Sequence, residues 1–169
     1  FFEAIQHLNE KDLLLAYHDR SDGGAFATLC EMAFAGGMGL EIDLSCPAEK
    51  CLPFLFNEEL GAIVQIRETD MDSILEEFSV HGLEDLVLDI GRPLSSTRIT
   101  IRNKGQSLLE RERSQLRDLW SKTTWQMQRL RDDTECADEE HSLRLDDANP
   151  GLSSQLPPSW QERSIPAAT

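Results

Sequence analysis

Residues 18–24 read HDRSDGG: an imidazole, two carboxylates, a guanidinium, a hydroxyl and two adjacent glycines within seven positions. The apolar run LLLAY (13–17) precedes them and AFATLCEMAFA (25–35) follows. That order predicts a strand, a turn and a helix, with Asp22, Gly23 and Gly24 at the helix start. A helix N-terminus exposes unpaired N–H groups and a partial positive charge. Glycines let a ligand approach the backbone, and Ser21 adds a hydroxyl, so the turn suits a phosphate or another anion. Asp19 and Asp22 can hold Mg2+, which prefers carboxylate and phosphate oxygens. His18 and Arg20 can donate to an anionic substrate. A plainer reading uses the same residues. Ser21 or Asp22 caps the helix, the glycines shape the turn, and His18 is buried and hydrogen-bonded at the strand end. Neither GxxxxGK[ST] nor GxGxxG is present, so the turn is no P-loop and no dinucleotide fingerprint.

Other chemistry-bearing residues are sparser. Glu58 and Glu59 adjoin each other in FNEELG, but sequence neighbours in extended chain point apart, which makes them a solvated lead into a strand. Cys30, Cys46, Cys51 and Cys136 form no CxxC pair, and His7, His18, His81 and His141 match them at no metal-ligand spacing. Zinc is therefore not expected, and the cysteines read as reduced thiols of a cytosolic protein, with Cys30 a small core hydrophobe. Trp120 and, within TTWQMQRLR (123–131), Met127 are expected in the core, while Trp125, Gln128 and Arg131 can face a neighbouring domain.

The elements that must position these residues follow from periodicity. Phe2, Ile5 and Leu8 share a helical face; 12–19 is a strand; 23–35 is a helix stopped by AGG; 38–44 alternates as a half-buried strand. In 45–56, Pro47 suits a helix start and Pro53 a break or restart. A strand over 61–67 leads to a helix capped by Thr69 with Asp72 in a weak capping box; Met71, Ile74, Leu75 and Phe78 form its apolar face and His81-Gly82 its end. Strands follow at 86–91 and 97–102, NKG (103–105) turns the chain into 106–110, and 112–131 is the longest helix, striped by Leu116, Trp120, Thr123, Met127 and Leu130. Residues 132–169 are acidic and then rich in Pro and Ser, and are expected to be a largely irregular linker or tail. The order predicts an α+β fold: a layered mixed sheet flanked by helices over 1–131, with an irregular C-terminal tail over 132–169.

Bulk properties narrow the classes. The chain has 169 residues, 40% of them hydrophobic, and a net charge of −15. The size supports one domain with a tail, and the charge argues against nucleic acid and anionic membrane surfaces. No apolar run reaches the ~20 residues of a membrane span. The chain opens on FFEAIQHL, inside a helical pattern and without Met, and is expected to be cut from a longer polypeptide.

Four separated segments carry a resemblance: LLAYHDRSDGG, EMAFAGGMGLEIDL, LFNEELGAIVQIR and TTWQMQRLRD. Together, from Phe1 to about Leu152, they resemble the large single-chain phosphoribosylformylglycinamidine synthase family, also called FGAR amidotransferases. The resemblance implies an ATP- and Mg2+-dependent ligase of purine biosynthesis, in which the formylglycinamide amide oxygen is activated and replaced by ammonia from glutamine. The chain looks like the C-terminal AIR-synthase-type domain of that enzyme's second half, with the linker towards a glutaminase. That domain type is α+β.

By the same resemblance, the second half holds a nucleotide and Mg2+ at an auxiliary site. Asp19 is then the Mg2+ ligand and Ser21 a contact to ATP or ADP, with Arg20, Asp22, Gly23 and Gly24 around them. The implied partners are a preceding AIR-synthase-like domain and a following glutaminase, in the cytoplasm. None of the four cysteines has a glutaminase nucleophile's context and the companion domain is missing, so no catalytic residue is assigned and the chain alone is expected to be inactive. Two other readings stay open: a structural module joining synthetase and glutaminase, and another superfamily enzyme such as AIR synthase or a small-molecule kinase. A missing neighbour would leave an apolar face and favour self-association.

Overall fold

The computed structural model describes residues 1–149 and 151; the Pro/Ser-rich stretch assigned to the tail, 152–169, and Pro150 lie outside the described residues. The elements are α1 (Phe2–Glu10), β1 (Ala16–Asp19), α2 (Gly24–Gly36), β2 (Gly39–Asp43), α3 (Ala48–Phe56), β3 (Ala62–Gln65), α4 (Met71–Val80), β4 (Gly91–Leu94), β5 (Arg98–Asn103), β6 (Gln106–Glu112), α5 (Arg113–Arg131) and α6 (Thr134–Leu145). Through α5 the order is the one read from periodicity, and the architecture is the expected α+β fold with a mixed sheet flanked by helices.

Two sheets build it. β1 and β3 form an antiparallel pair, with Ala16 opposite Gln65 and Asp19 opposite Ala62. The second sheet has the order β4-β2-β5-β6, and only β2-β5 is parallel. Leu40 and Ile42 of β2 lie beside Ile99 and Ile101 of β5, and all four are buried. They centre a core closed by Leu29, Cys30 and Ala33 of α2, Leu55 of α3 and Leu116 of α5. Each fully buried Ile or Leu there stabilises the fold by about 1.5–3 kcal/mol. A second, smaller core joins Ala4, Ile5 and Leu8 of α1 to Ile74 and Phe78 of α4. β3 serves both, because alternate residues of a strand face opposite ways: Ile63 packs on the first core and Val64 on the second.

Several local expectations change. The strand expected at 86–91 begins only at Gly91; Leu86 and Leu88 are exposed, and Glu84–Leu86 is a short 3-10 turn. Gly91 has φ +141°, and a Cβ there would lie 2.1 Å from the Glu41 carbonyl oxygen, so the strand pairs where the side chain vanishes. α3 runs through Pro53 instead of breaking, with the i→i−4 bond that Pro53 cannot donate missing from the helix. Thr69 does not cap α4; a 3-10 turn over Glu68–Asp70 leads into that helix, and no side chain caps it. Leu75, expected on the apolar face of α4, is 37% exposed.

The largest change is C-terminal. Residues Thr134–Leu145, expected to be irregular, form α6. Asp133 caps it by accepting the Cys136 amide at 3.0 Å. It packs back on α5: His141 stacks on Trp125 at 4.2 Å between centroids, and Trp125 donates to Asp138 at 2.9 Å. Gln128 donates to Glu140. Trp125 and Gln128, expected to face a neighbouring domain, thus bond to α6 of the same chain. Trp120 and Met127, expected in the core, are 56% and 66% exposed, because only the Leu116 end of the α5 stripe reaches the sheet. No helix among the described residues is long and apolar enough to cross a membrane.

Candidate functional site

The HDRSDGG turn joins the end of β1 to the start of α2, as its composition predicts. Four internal attachments fix it. The Arg20 amide donates to the Gly61 carbonyl at 2.9 Å, which ties the turn to the start of β3. The Thr28 hydroxyl lies 3.1 Å from the carbonyl oxygens of both Asp19 and Gly24. His18 is half-buried, with Nδ1 2.8 Å from the Asp19 carbonyl and Nε2 2.9 Å from Glu31. The other oxygen of Glu31 accepts the Trp120 indole N–H at 2.8 Å, so α5 braces the imidazole through one carboxylate.

Arg20 is spent inside the fold. Its Nη2 donates to the Phe54 carbonyl at 2.8 Å, and its guanidinium sits 5.7 Å from the centre of the Phe54 ring. The glycines serve the same packing. Gly23 and Gly24 have φ of +81° and +67°, and a Cβ on Gly24 would meet the Leu55 carbonyl oxygen at 2.7 Å and the Asn57 carbonyl oxygen at 2.9 Å. The close approach that Gly24 allows is to the end of α3, while a Cβ on Gly23 would meet Ala27 of α2 at 2.8 Å. The start of α2 carries no side-chain cap from Ser21 or Asp22; Gly23 is the N-cap. Its amide donates to Glu58 at 3.1 Å, so a carboxylate from the loop after α3 stands at the helix start. Glu59 accepts from Asn57 at 2.9 Å and lies 4.0 Å from Arg20.

Asp19, Ser21 and Asp22 remain exposed on the outer side of the turn. Asp19 accepts the Tyr17 phenol at 2.5 Å. Partial burial, with help from the hydrogen bond to Asp19 and its charge, pushes the Tyr17 hydroxyl up to about 12, so it stays a donor at neutral pH. The outward donor set is two carboxylates and a hydroxyl. It fits a hard cation such as Mg2+, which takes carboxylate oxygen and keeps waters. It does not by itself fit a phosphate: the guanidinium is turned onto α3, the imidazole onto Glu31, and the Gly23 amide onto Glu58.

Sequence reasoning picked out the turn and missed its partners. Thr28, Glu31 and Trp120 act through contacts between elements, and Tyr17 through the Asp19 carboxylate two residues along the same strand. Glu58 and Gly23 each stand out in the sequence, but the bond between them, across 35 positions, does not. Beside the turn, Phe1, Phe2, Leu15 and Tyr17 line an open groove of about 630 Å3 that reaches Asp19.

Residues 1–102 match the sequence family described as AIR synthase related protein, C-terminal domain. Among solved structures, the fold is similar to phosphoribosylformylglycinamidine synthase II from Thermotoga maritima, with a TM-score of 0.58 and 20% identity, covering 68% of this chain and 20% of that one. T. maritima PurL complexed with ATP matches with the same figures. The HypE–HypF complex matches with a TM-score of 0.54 and 20% identity, over 65% of this chain and 39% of that chain. The likeness at these identities is one of fold, and the chain spans about a fifth of the T. maritima chains.

Proposed function

The chain belongs to the AIR synthase related proteins, as their C-terminal domain, and from that premise we propose that it serves a phosphoribosylformylglycinamidine synthase, an ATP-dependent C–N ligase of purine biosynthesis in the cytoplasm. In this reading residues 1–131 are the ligase's C-terminal AIR-synthase-type domain, and 132–169 lead towards a glutaminase that supplies ammonia from glutamine. The domain contributes one wall of a nucleotide site. Asp19 would hold Mg2+, Ser21 would contact ATP or ADP, and Arg20, Asp22, Gly23 and Gly24 would shape the wall. The metal, when bound, would neutralise phosphate charge.

One observation carries this reading: the turn points its acids outward and spends its cations inward. Tyr17 orients the Asp19 carboxylate, Thr28 and His18 pin its carbonyl, and Arg20 locks the turn to α3. The result is a rigid acidic pole without a phosphate-binding pole, which a neighbouring AIR-synthase-like domain would complete. The site is auxiliary, and no residue of this chain is assigned a chemical step.

The test is calorimetric titration with Mg-ADP of this chain and of the ligase polypeptide that carries it beside the preceding domain. The chain alone should show no saturable binding. In the ligase, Asp19→Ala should weaken Mg-ADP by at least about tenfold. Binding by the isolated chain that survives Asp19→Ala would overturn the proposal. A second reading, a structural module, draws on the apolar groove of Phe1, Phe2, Leu15 and Tyr17, a face fit for a neighbouring domain or for self-association. It prevails if Asp19→Ala leaves nucleotide binding intact and disturbs only assembly of the ligase.

A further inference from the structure

Away from the turn, at the outer end of the smaller core, His7 of α1, Glu77 of α4 and His81, the residue just past the end of α4, bring three ligand atoms within 4.8 Å of one another. We propose that these three side chains form a Zn2+ site that staples α1 to α4.

The distances suit the ion. Zn2+ holds imidazole nitrogen and carboxylate oxygen at about 2.0–2.2 Å, so tetrahedral ligand atoms stand about 3.3 Å apart. Glu77 Oε1 lies 2.9 Å from His7 Nδ1 and 3.4 Å from His81 Nε2. Two imidazoles and one carboxylate are the donor set of a borderline transition ion, not of Mg2+ or Ca2+. Three protein ligands leave a fourth position for water.

The surroundings are those of a metal site too. His81 Nε2 is buried and has no hydrogen-bond partner, although it points at Glu77. A buried nitrogen left this way is costly unless something satisfies it. The other ring nitrogen, Nδ1, lies 3.9 Å from the exposed Glu3 carboxylate, beyond hydrogen-bond distance. Lys11 donates at 2.8 Å to Glu77 Oε2, and Oε1, hydrogen-bonded to His7 Nδ1, is the oxygen that both imidazoles face; ligating carboxylates are commonly held by such an outer donor. Glu77 is itself buried, at 9% exposure, on a helix whose neighbours pack into the core, so its position is fixed in advance.

Spacing rules for Cys and His in one segment do not see this site. It contains no cysteine, and its ligands come from α1 and from α4 with the residue after it, His7 and Glu77 standing 70 positions apart in sequence.

The experiment is titration of the chain with Co2+, followed by displacement with Zn2+, read by visible absorption and thermal melting. One Co2+ per chain is expected, with the intense visible bands of a four-coordinate nitrogen–oxygen site and no near-ultraviolet thiolate band. His7→Gln and His81→Gln should each weaken uptake by at least about tenfold. Zn2+ should raise the melting midpoint of the parent chain and leave that of both variants unmoved. His7 is half-exposed, so His7→Gln should fold, which its metal-free melt checks; Lys11→Met should keep the site. No saturable uptake, uptake undiminished in the histidine variants, or a thiolate band that places the ion on Cys46 and Cys51, whose sulfurs stand 3.3 Å apart, would each overturn the proposal. None of these results bears on Asp19, which lies on β1 with its own test.

Discussion

Asp43 shows how much one carboxylate can organise. It ends β2 and takes the amides of Lys104 at 2.8 Å and Gly105 at 3.0 Å, so it braces the β5–β6 turn from across the sheet. Lys104 and Gly105 have φ of +50° and +79°, the conformation of the tight hairpin that NKG predicts. Hydrogen bonds from the Gly105 amide, then those of Lys104 and Ser45, hold the Asp43 carboxyl below the usual aspartate range. A depressed carboxyl contributes stability above its unfolded value of about 3.9 and loses it as pH falls through the folded value. Asp43→Asn should therefore lower stability at neutral pH, and the gap to the parent chain should close as the pH drops below about 4. Urea melts of both chains at pH 7 and pH 3 check this; an equal gap at both values would show that the amides do not depend on the charge. The hairpin itself was legible in three letters of sequence. Its brace, about sixty positions upstream, was not, and the same holds for Glu31 behind His18 and Glu58 at Gly23. Local spacing names the residues of a turn, while the partners that decide whether a group faces ligand or fold arrive through tertiary contact. Arg20 is the sharpest case: a guanidinium beside two aspartates reads as an anion receptor and is instead a clamp on α3.

At the scale of elements, periodicity located every helix and strand through α5 to within a few residues, apart from the strand set too early at 86–91 and the one read at 12–19, which begins only at Ala16. There an apolar run looked like a strand, but pairing waited for the residue that could lie against β2 without a Cβ. The α5 stripe misled for a related reason. A period shows which residues share a face, not whether a sheet lies beneath the whole length of it. α6 was missed because its apolar content is low; what holds it is the stacking of His141 on Trp125 and the carboxylates of Asp138 and Glu140, none of which has a periodic signature. The junction of turn, α2 and α3 yields a direct test. Gly24→Ala must place a Cβ against two carbonyl oxygens at a positive φ, and should cost about 2–5 kcal/mol in chemical denaturation. Gly61, at the start of β3, has open space around it and no such backbone, so Gly61→Ala should stay within about 1 kcal/mol of the parent. Equal costs at the two positions would mean that the turn yields, and that the rigidity assigned to the Asp19 wall is absent.

The described residues form a large core and a small one, joined by a two-stranded ribbon. Nine buried residues centred on β2 and β5 make the first; five, from α1 and α4 alone, make the second. α1 pairs with no strand and is held through the Ala4, Ile5 and Leu8 face and the Glu77 cluster with His7 and Lys11. Local opening free energy follows the apolar surface an element buries and the neighbours that must move with it. α1 and α4 should therefore open together, below the free energy of global unfolding, while β2, β5 and α2 open only with the whole. Native-state hydrogen exchange at low denaturant reads this directly. The α1 and α4 amides should form one early isotherm and those of β2, β5 and α2 should merge at the global limit. A single isotherm for all of them would show that the β1–β3 ribbon couples the cores fully. If the staple at His7, Glu77 and His81 holds Zn2+, adding the ion should raise the early isotherm and leave the late one in place, because the ion's ligands sit on the two helices that open, or one residue past the end of α4, and on neither strand of the larger core.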